Sequence, residues 1–257
     1  MATTLSDYQD KYKTIRLTRE DGVLTVQMHT DGVELKWGAV PHDELGWCFA
    51  DIAGDADNEI VIITGTADTF IAHFNTGEVD NRPPHLWDRV YAEGKRLLTN
   101  LLEVPVPMIA AINGPATVHA EIGLLCDIVL ASDTAVFSDI THFPSGLVPG
   151  DGVHVVWPML LGQNRGRYFL LTGEELSAQQ ALDLDIVAEV LAAEDLMPRA
   201  VELAAKLKEQ PVLARRYARQ TLTMQLKRTM QQDLGHGLVL EGMSAAEYWP
   251  RGRDIRP

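Results

Sequence analysis

The sequence predicts an α/β protein, and three observations carry that expectation. Residues 60–65, IVIITG, form a continuous β-branched run closed by glycine, the pattern of a strand buried on both faces. Residues 106–112, VPMIAAI, form a second such run with prolines at its edge. Strand-like and helix-like segments alternate up to about residue 195, and beyond it only helical spacing remains. The two regimes divide the chain into residues 1–195, a mixed core, and 196–257, a helical region.

The elements follow in order. Tyr12 to Met28 alternates apolar and polar residues on either side of Glu20-Asp21-Gly22, a β-hairpin with Asp-Gly as its turn. Trp37 to Ala50 carries Pro41 near a helix start, and Leu45, Cys48, Phe49 and Ile52 follow at helical spacing. After the first buried strand, Thr66 to Pro84 reads as a loop-rich, ligand-facing stretch, and Leu86 to Leu102 as an amphipathic helix. A short helix is expected from about Ala120, then strands at Asp127–Ala131 and Ala135–Ser138. Residues 152–162 and 164–172 read as helices. Ser177 and Gln180 make a capping box for a third, and Ile186–Val190 reads as a last strand. Helices are expected over Glu194–Glu209 and from Pro211 to about Ala246.

Composition narrows the function. The 257 residues carry a formal charge of −14, and such an acidic surface repels nucleic acid and anionic membranes. Only two cysteines occur, Cys48 and Cys126, both in apolar surroundings, as expected of small buried hydrophobes in a reducing cytoplasm. The first residues lack a cationic end before an apolar run, and no window is apolar enough to span a bilayer, so the expected location is cytoplasmic. There is no metal-ligand spacing, P-loop, Rossmann fingerprint or G-x-S-x-G elbow. No metal and no cofactor are expected.

Asn113 to Trp157 concentrates the polar candidates: His119 after a Gly-Pro turn, His142 after a strand, and Asp151 inside Pro149-Gly150-Asp151-Gly152. Each has an ordinary reading beside a catalytic one. His119 fits a buried, hydrogen-bonded histidine, Asp151 a turn or cap residue, and Glu241, in the last helix, a solvated carboxylate. Trp37 fits a core aromatic as readily as a pocket wall.

Four strings in order, VIITGT (61–66), FIAHF (70–74), PMIAAINGPA (107–116) and FPSGLVPGDG (143–152), with LTGEELSAQQALDLDIVAEVL at 171–191, resemble the crotonase (enoyl-CoA hydratase/isomerase) superfamily. The resemblance implies a core of repeated ββα spiral turns and a C-terminal helical region that forms trimers, often paired into hexamers. It also exposes departures. Thr117-Val118-His119-Ala120 replaces the glycine-rich oxyanion loop, with His119 at the glycine whose N–H holds a thioester oxygen. The other oxyanion donor falls at the Ala72 N–H, followed by His73. The two catalytic glutamates of the hydratases fall at Ile122 and His142.

The strings at 142–158, 164–173 and 213–220 further resemble a narrower branch, the β-diketone hydrolases related to 6-oxocamphor hydrolase. That resemblance implies water-driven cleavage of a carbon–carbon bond in a cyclic or bicyclic diketone, a small-molecule substrate, and a site lined by His119, His142, Asp151 and Glu241. Trp37, His42, Ala72 and Val79 then fall at substrate-contacting positions. Within this frame His142 is the expected base, with Asp151 accepting a hydrogen bond from one of its ring nitrogens, and His119 is the expected oxyanion donor. Asp139 is a further carboxylate near His142 that sequence does not rank against Asp151. His29, His85 and His236 read as surface or loop residues and His154 as a capping or packing residue. Arg215, Arg216 and Arg219 read as partners in ion pairs between subunits. A coenzyme-A-dependent crotonase and an inactive crotonase-fold scaffold are the competing expectations.

Overall fold

The structure is a computed structural model and describes residues 3–75 and 83–247. Its strands are β1 (Ile15–Glu20), β2 (Val23–Met28), β3 (Lys36–Trp37), β4 (Ile60–Thr64), β5 (His73–Phe74), β6 (Met108–Ile112), β7 (Ile128–Ser132), β8 (Val136–Phe137), β9 (Leu176–Ser177) and β10 (Glu189–Leu191). The helices are α1 (Leu5–Tyr8), α2 (Ala39–Gly54), α3 (Pro84–Glu103), α4 (Glu121–Leu124), α5 (Val153–Leu161), α6 (Gln163–Thr172), α7 (Ala178–Asp183), α8 (Ala193–Lys208), α9 (Val212–Leu222) and α10 (Met224–Glu247), with a 3₁₀ turn at Phe143–Ser145.

Six strands form one sheet in the order β1-β2-β4-β6-β7-β10. β1 and β2 pair antiparallel as the Asp21-Gly22 hairpin, and every later pairing is parallel, aligning Thr25 with Ile62, Ile109 and Ile128. The two apolar runs are buried at every position because both faces of the sheet are covered. Val61, Ile63, Met108, Ala110 and Ile112 face the main core with α2, α3 and α5. Ile60, Ile62, Ile109 and Ala111 face Leu196, Ala200 and Ala204 of α8. Two small ladders, β3 with β5 and β8 with β9, build the loop layer above the strand ends.

Local signals account for most boundaries. Ser177 accepts from the Gln180 N–H while the Gln180 side chain accepts from the Ser177 N–H, the capping box of α7. Two expectations shift. The last strand begins at Glu189 rather than Ile186, because Ile186 and Val187 are spent as buried core residues in the turn after α7. The long C-terminal helix is two helices, broken at Thr223, whose hydroxyl donates back to the Arg219 carbonyl.

Arginine placement corrects another expectation. Arg219 is buried and donates to the Leu101 and Val104 carbonyls and to Asp127 at 2.6 Å. It thereby satisfies open carbonyls at the C-terminus of α3, where a cation is favoured. Arg215 is buried as well, bound to Glu59 and to the carbonyls of Lys208 and Gln210. Both arginines anchor α9 within the chain instead of bridging subunits.

Candidate active site

The site lies where loops following β6 and β8 meet the first turns of α2 and α5 and one face of α10. Trp37, on β3, is buried against the His119 ring with centroids 4.1 Å apart. His42 lies in the first turn of α2, and its Nδ1 pairs with the Glu93 carboxylate of α3 at 3.1 Å. Arg89 donates to the other Glu93 oxygen at 2.6 Å. Burial raises the Glu93 pKa, but the bonds from His42 and Arg89 outweigh it and hold the group lowered.

His119 stands just before α4 with φ of 50°, a left-handed conformation that a histidine adopts at some cost and a glycine adopts freely. Its Nδ1 donates to Glu121 Oε1 at 2.7 Å and lies 3.1 Å from Asp151 Oδ2. His142 precedes the 3₁₀ turn, nearly without exposure. Its Nδ1 donates to Asp139 Oδ1 at 2.7 Å, and its Nε2 stands 3.3 Å from Asp151 Oδ2 and 3.6 Å from Glu241 Oε1. Asp151, in the turn that leads into α5, therefore faces both imidazoles through one oxygen. The carboxylate on the tethered nitrogen of His142 is Asp139, and Asp151 is on the other nitrogen.

Glu241 reaches the cluster because α10 packs on α3 and α5. Gly150 and Gly237 face one another there: a Cβ on Gly150 would lie 2.6 Å from the Gly237 carbonyl carbon and 2.7 Å from the Glu241 Cβ. His154 adds a tether, its Nε2–H donating to the Asp233 carbonyl at 3.3 Å.

Burial disfavours charge on all these groups, and the pairings decide the outcome. For His142 burial pulls the pKa down, but Asp139 and Asp151 more than reverse it, leaving it well above the ordinary value. His119 is raised in the same way by Glu121 and Asp151. Asp151 is driven well below the usual carboxylate range, since its two imidazole neighbours outweigh its burial. Glu241 goes the other way: burial and then the Asp151 charge push it well above 4.5. The shifts favour the imidazolium form of both rings, the carboxylate form of Asp151 and the neutral acid form of Glu241. One oxygen each of Glu121, Asp139, Asp151 and Glu241 is buried with no protein partner among the described residues, which leaves acceptor capacity for water or substrate.

Ala72 follows the bridge of Ile71 with Ala116, at the layer that carries Trp37 and His119, while the His73 side chain is exposed. Ile122, at the place of a hydratase glutamate, is fully buried core. Val79 lies outside the described residues. His29 is half-buried, and His85 and His236 are exposed, away from the cluster. Two groups escape a reading by motif. Glu121 lies two residues from His119, a local signal that spacing offered. Glu93 sits on the apolar stripe of α3 with Trp87, Leu97 and Leu101, and a carboxylate on such a stripe marks a buried partner.

Two donor sets, His119 with Glu121 and Asp151, and His142 with Asp151 and Glu241, have ligand-type atoms within 4.8 Å of one another. Distance alone would let them hold a cation. The raised pKa of both imidazoles means that a cation would have to displace a proton to bind there.

Residues 18–241 match the enoyl-CoA hydratase/isomerase family. The chain is a member of that family. The crotonase fold of the structure agrees, with its mixed sheet and flanking helices. A β-diketone hydrolase from Anabaena sp. PCC 7120, solved bound to (S)-3-oxocyclohexyl acetic acid, is 46% identical, with 94% of this chain and 97% of that chain covered and a TM-score of 0.92. The 2,3-dehydroadipyl-CoA hydratase of Escherichia coli is 29% identical over 204 residues, covering 76% of this chain and 75% of the relative. A putative enoyl-CoA hydratase/isomerase of Bacillus subtilis is 34% identical over 139 residues, which span 54% of this chain and about half, 52%, of that relative. Among the described residues, no helix of this family member is long and apolar enough to cross a membrane.

Proposed function

We propose that the chain is a cofactor-independent hydrolase that cleaves a carbon–carbon bond of a cyclic or bicyclic β-diketone to give a keto acid. One observation carries this reading. His119 and His142 stand where the family keeps an oxyanion glycine and a catalytic glutamate, and Asp151 lies within 3.3 Å of both. The 46% identity to the Anabaena β-diketone hydrolase supports it.

Retro-Claisen hydrolysis needs a base for water, a donor for the carbonyl oxygen and a proton for the departing enolate carbon. The His119 Nδ1 is engaged by Glu121 and Asp151, so in the protonated ring, which its raised pKa favours, Nε2–H is the donor for the developing oxyanion. His142, once it has released the Nε2 proton, takes one from the attacking water. The oxygen–carbon bond forms, the tetrahedral alkoxide collapses, and the carbon–carbon bond breaks with its electron pair passing into the enolate of the second carbonyl. Return of the proton from His142 to the enolate carbon closes the cycle. The raised pKa of Glu241 favours its neutral acid beside that route, and Trp37 and His42 wall the diketone.

Incubating purified protein with cyclic 1,3-diketones and following enol absorbance, with mass spectrometry for a product one water heavier, tests the reading. No turnover across a broad panel would sink it. The second reading, a coenzyme-A-dependent hydrolase or decarboxylase, is favoured by the hydratase relatives. Tight coenzyme A binding in calorimetry together with turnover of an acyl thioester would put it first.

The reading extends to the assembly and location. Exposed Leu213 and Tyr217, one turn apart on α9, with Val212 beside them offer an apolar face that supports a homotrimer or a pair of trimers. Light scattering that returned a monomer would remove that part. A cytoplasmic location rests on the buried free thiols and is checked by fractionation.

A further inference from the structure

Three buried histidines of the site share one construction. His42, His119 and His142 each tie Nδ1 to a buried carboxylate: Glu93, Glu121 and Asp139 respectively. Tying Nδ1 fixes the ring plane and leaves Nε2 as the atom that meets whatever enters the pocket. For His142 the tie is the shortest contact it makes, and Asp139 is itself buried, at 2% exposure. Asp151 cannot serve this purpose. It faces Nε2, the reacting nitrogen, and shares the same oxygen with His119.

We propose that Asp139 is the positioning residue of His142, fixing the orientation and proton affinity of the base, while Asp151 acts on the reacting side between the two imidazoles. The inference deepens the proposed hydrolase and rests on it for its kinetic arm only. Five ionisable groups face or lie near the His142 ring: Asp139, Asp151, Glu241, His119 and His154. Of these, only Asp139 is hydrogen-bonded to Nδ1. Replacing it by asparagine removes the charge on the tethered side and leaves the Nε2 side intact.

The sign is fixed by the geometry. His142 must be neutral to accept a proton, so kcat/KM rises with pH through its raised pKa. In Asp139→Asn that acidic limb moves to lower pH, because an anion that favoured the protonated ring is gone. At the same time the plateau falls, by as much as about 10⁴-fold if the loss matches that for the equivalent change in a serine-protease triad.

Histidine-labelled protein is titrated by NMR, wild type beside Asp139→Asn and Asp139→Glu, with kcat/KM profiles on a cyclic diketone. Expected are a far-downfield Nδ1 proton on His142 in the wild type, a lowered His142 pKa in Asp139→Asn, and partial recovery of both in Asp139→Glu. An unmoved His142 titration in Asp139→Asn, or activity lost by one factor at every pH, would overturn the assignment. Should Asp139→Asn fail to fold, an ordinary Nδ1 proton shift in the wild type overturns it equally. Absence of diketone turnover in the wild type refutes the hydrolase reading instead, and the titration still decides the role of Asp139.

Discussion

Gly150→Ala tests whether the site depends on how closely α10 can approach the turn before α5. The new Cβ would sit 2.6 Å from the Gly237 carbonyl carbon, where ordinary contact begins near 3.4 Å, and it also meets the Glu241 Cβ at 2.7 Å. The Gly237 carbonyl oxygen is closer still. The neighbour is backbone, so no side chain can swing aside, and helix and turn must separate by about 1 Å. Overpacking of this kind costs about 1–3 kcal/mol, partly offset by the ~0.4–1 kcal/mol that alanine gains through the unfolded chain. The expected net loss of about 1–2 kcal/mol lowers Tm by roughly 2–8 °C for a domain of this size. Glu241 moves with α10, beyond its present 3.6 Å from His142 Nε2, and misplacement on the scale of an ångström costs about 100-fold in rate. Scanning calorimetry and kcat/KM on a diketone read the two effects. Gly237→Ala presses on the same contact from the helix side, its Cβ meeting the Gly150 carbonyl and the His154 ring, and is expected to reproduce the rate loss, with the helix preference of alanine, about 1 kcal/mol, offsetting part of the Tm change. A Gly150→Ala protein with wild-type Tm and kcat/KM within about threefold would refute the reasoning.

Glu241→Gln is expected to lose activity and gain stability as pH rises. A carboxyl held above its unfolded pKa contributes stability that is fully present below the unfolded value and is lost as pH climbs toward the folded one. Urea melts at pH 4 and pH 8 should therefore show the variant gaining on the wild type at the higher pH, and equal differences at both would count against it. Arg219→Met strips a buried cation from Asp127 and two carbonyls and is expected to cost about 3–5 kcal/mol in denaturant unfolding. A loss under about 1 kcal/mol would show that α9 is not anchored by this residue.

The sheet was legible because its strands are local: IVIIT needs no partner to announce burial on two faces, and Asp21-Gly22 writes its own hairpin. Contacts made at long range were not. Arg219 reads as a surface cation until α9 is folded against the end of α3, 115 residues earlier in the chain. Glu93 and His42 are separated by 51 residues, and no spacing rule joins them. For Asp139 and Asp151 the difficulty was different, since both lie near His142 in sequence. Which ring nitrogen each would meet depends on the 3₁₀ turn that rotates the ring, and that is settled only by packing.

The backbone at His119 carries a consequence for how this fold changes trade. Its φ of 50° is one that glycine occupies without penalty, so the backbone can follow the same path with glycine or histidine there. A non-glycine residue in that conformation costs about 1 kcal/mol or more, a modest toll against the 5–15 kcal/mol by which folded proteins persist. Exchange of glycine and histidine at this position is therefore a step that leaves the loop where it is. On the proposed hydrolase reading, such an exchange would let the scaffold pass from holding a thioester oxygen by a backbone N–H to holding a carbonyl oxygen by a side chain without first inventing a new turn.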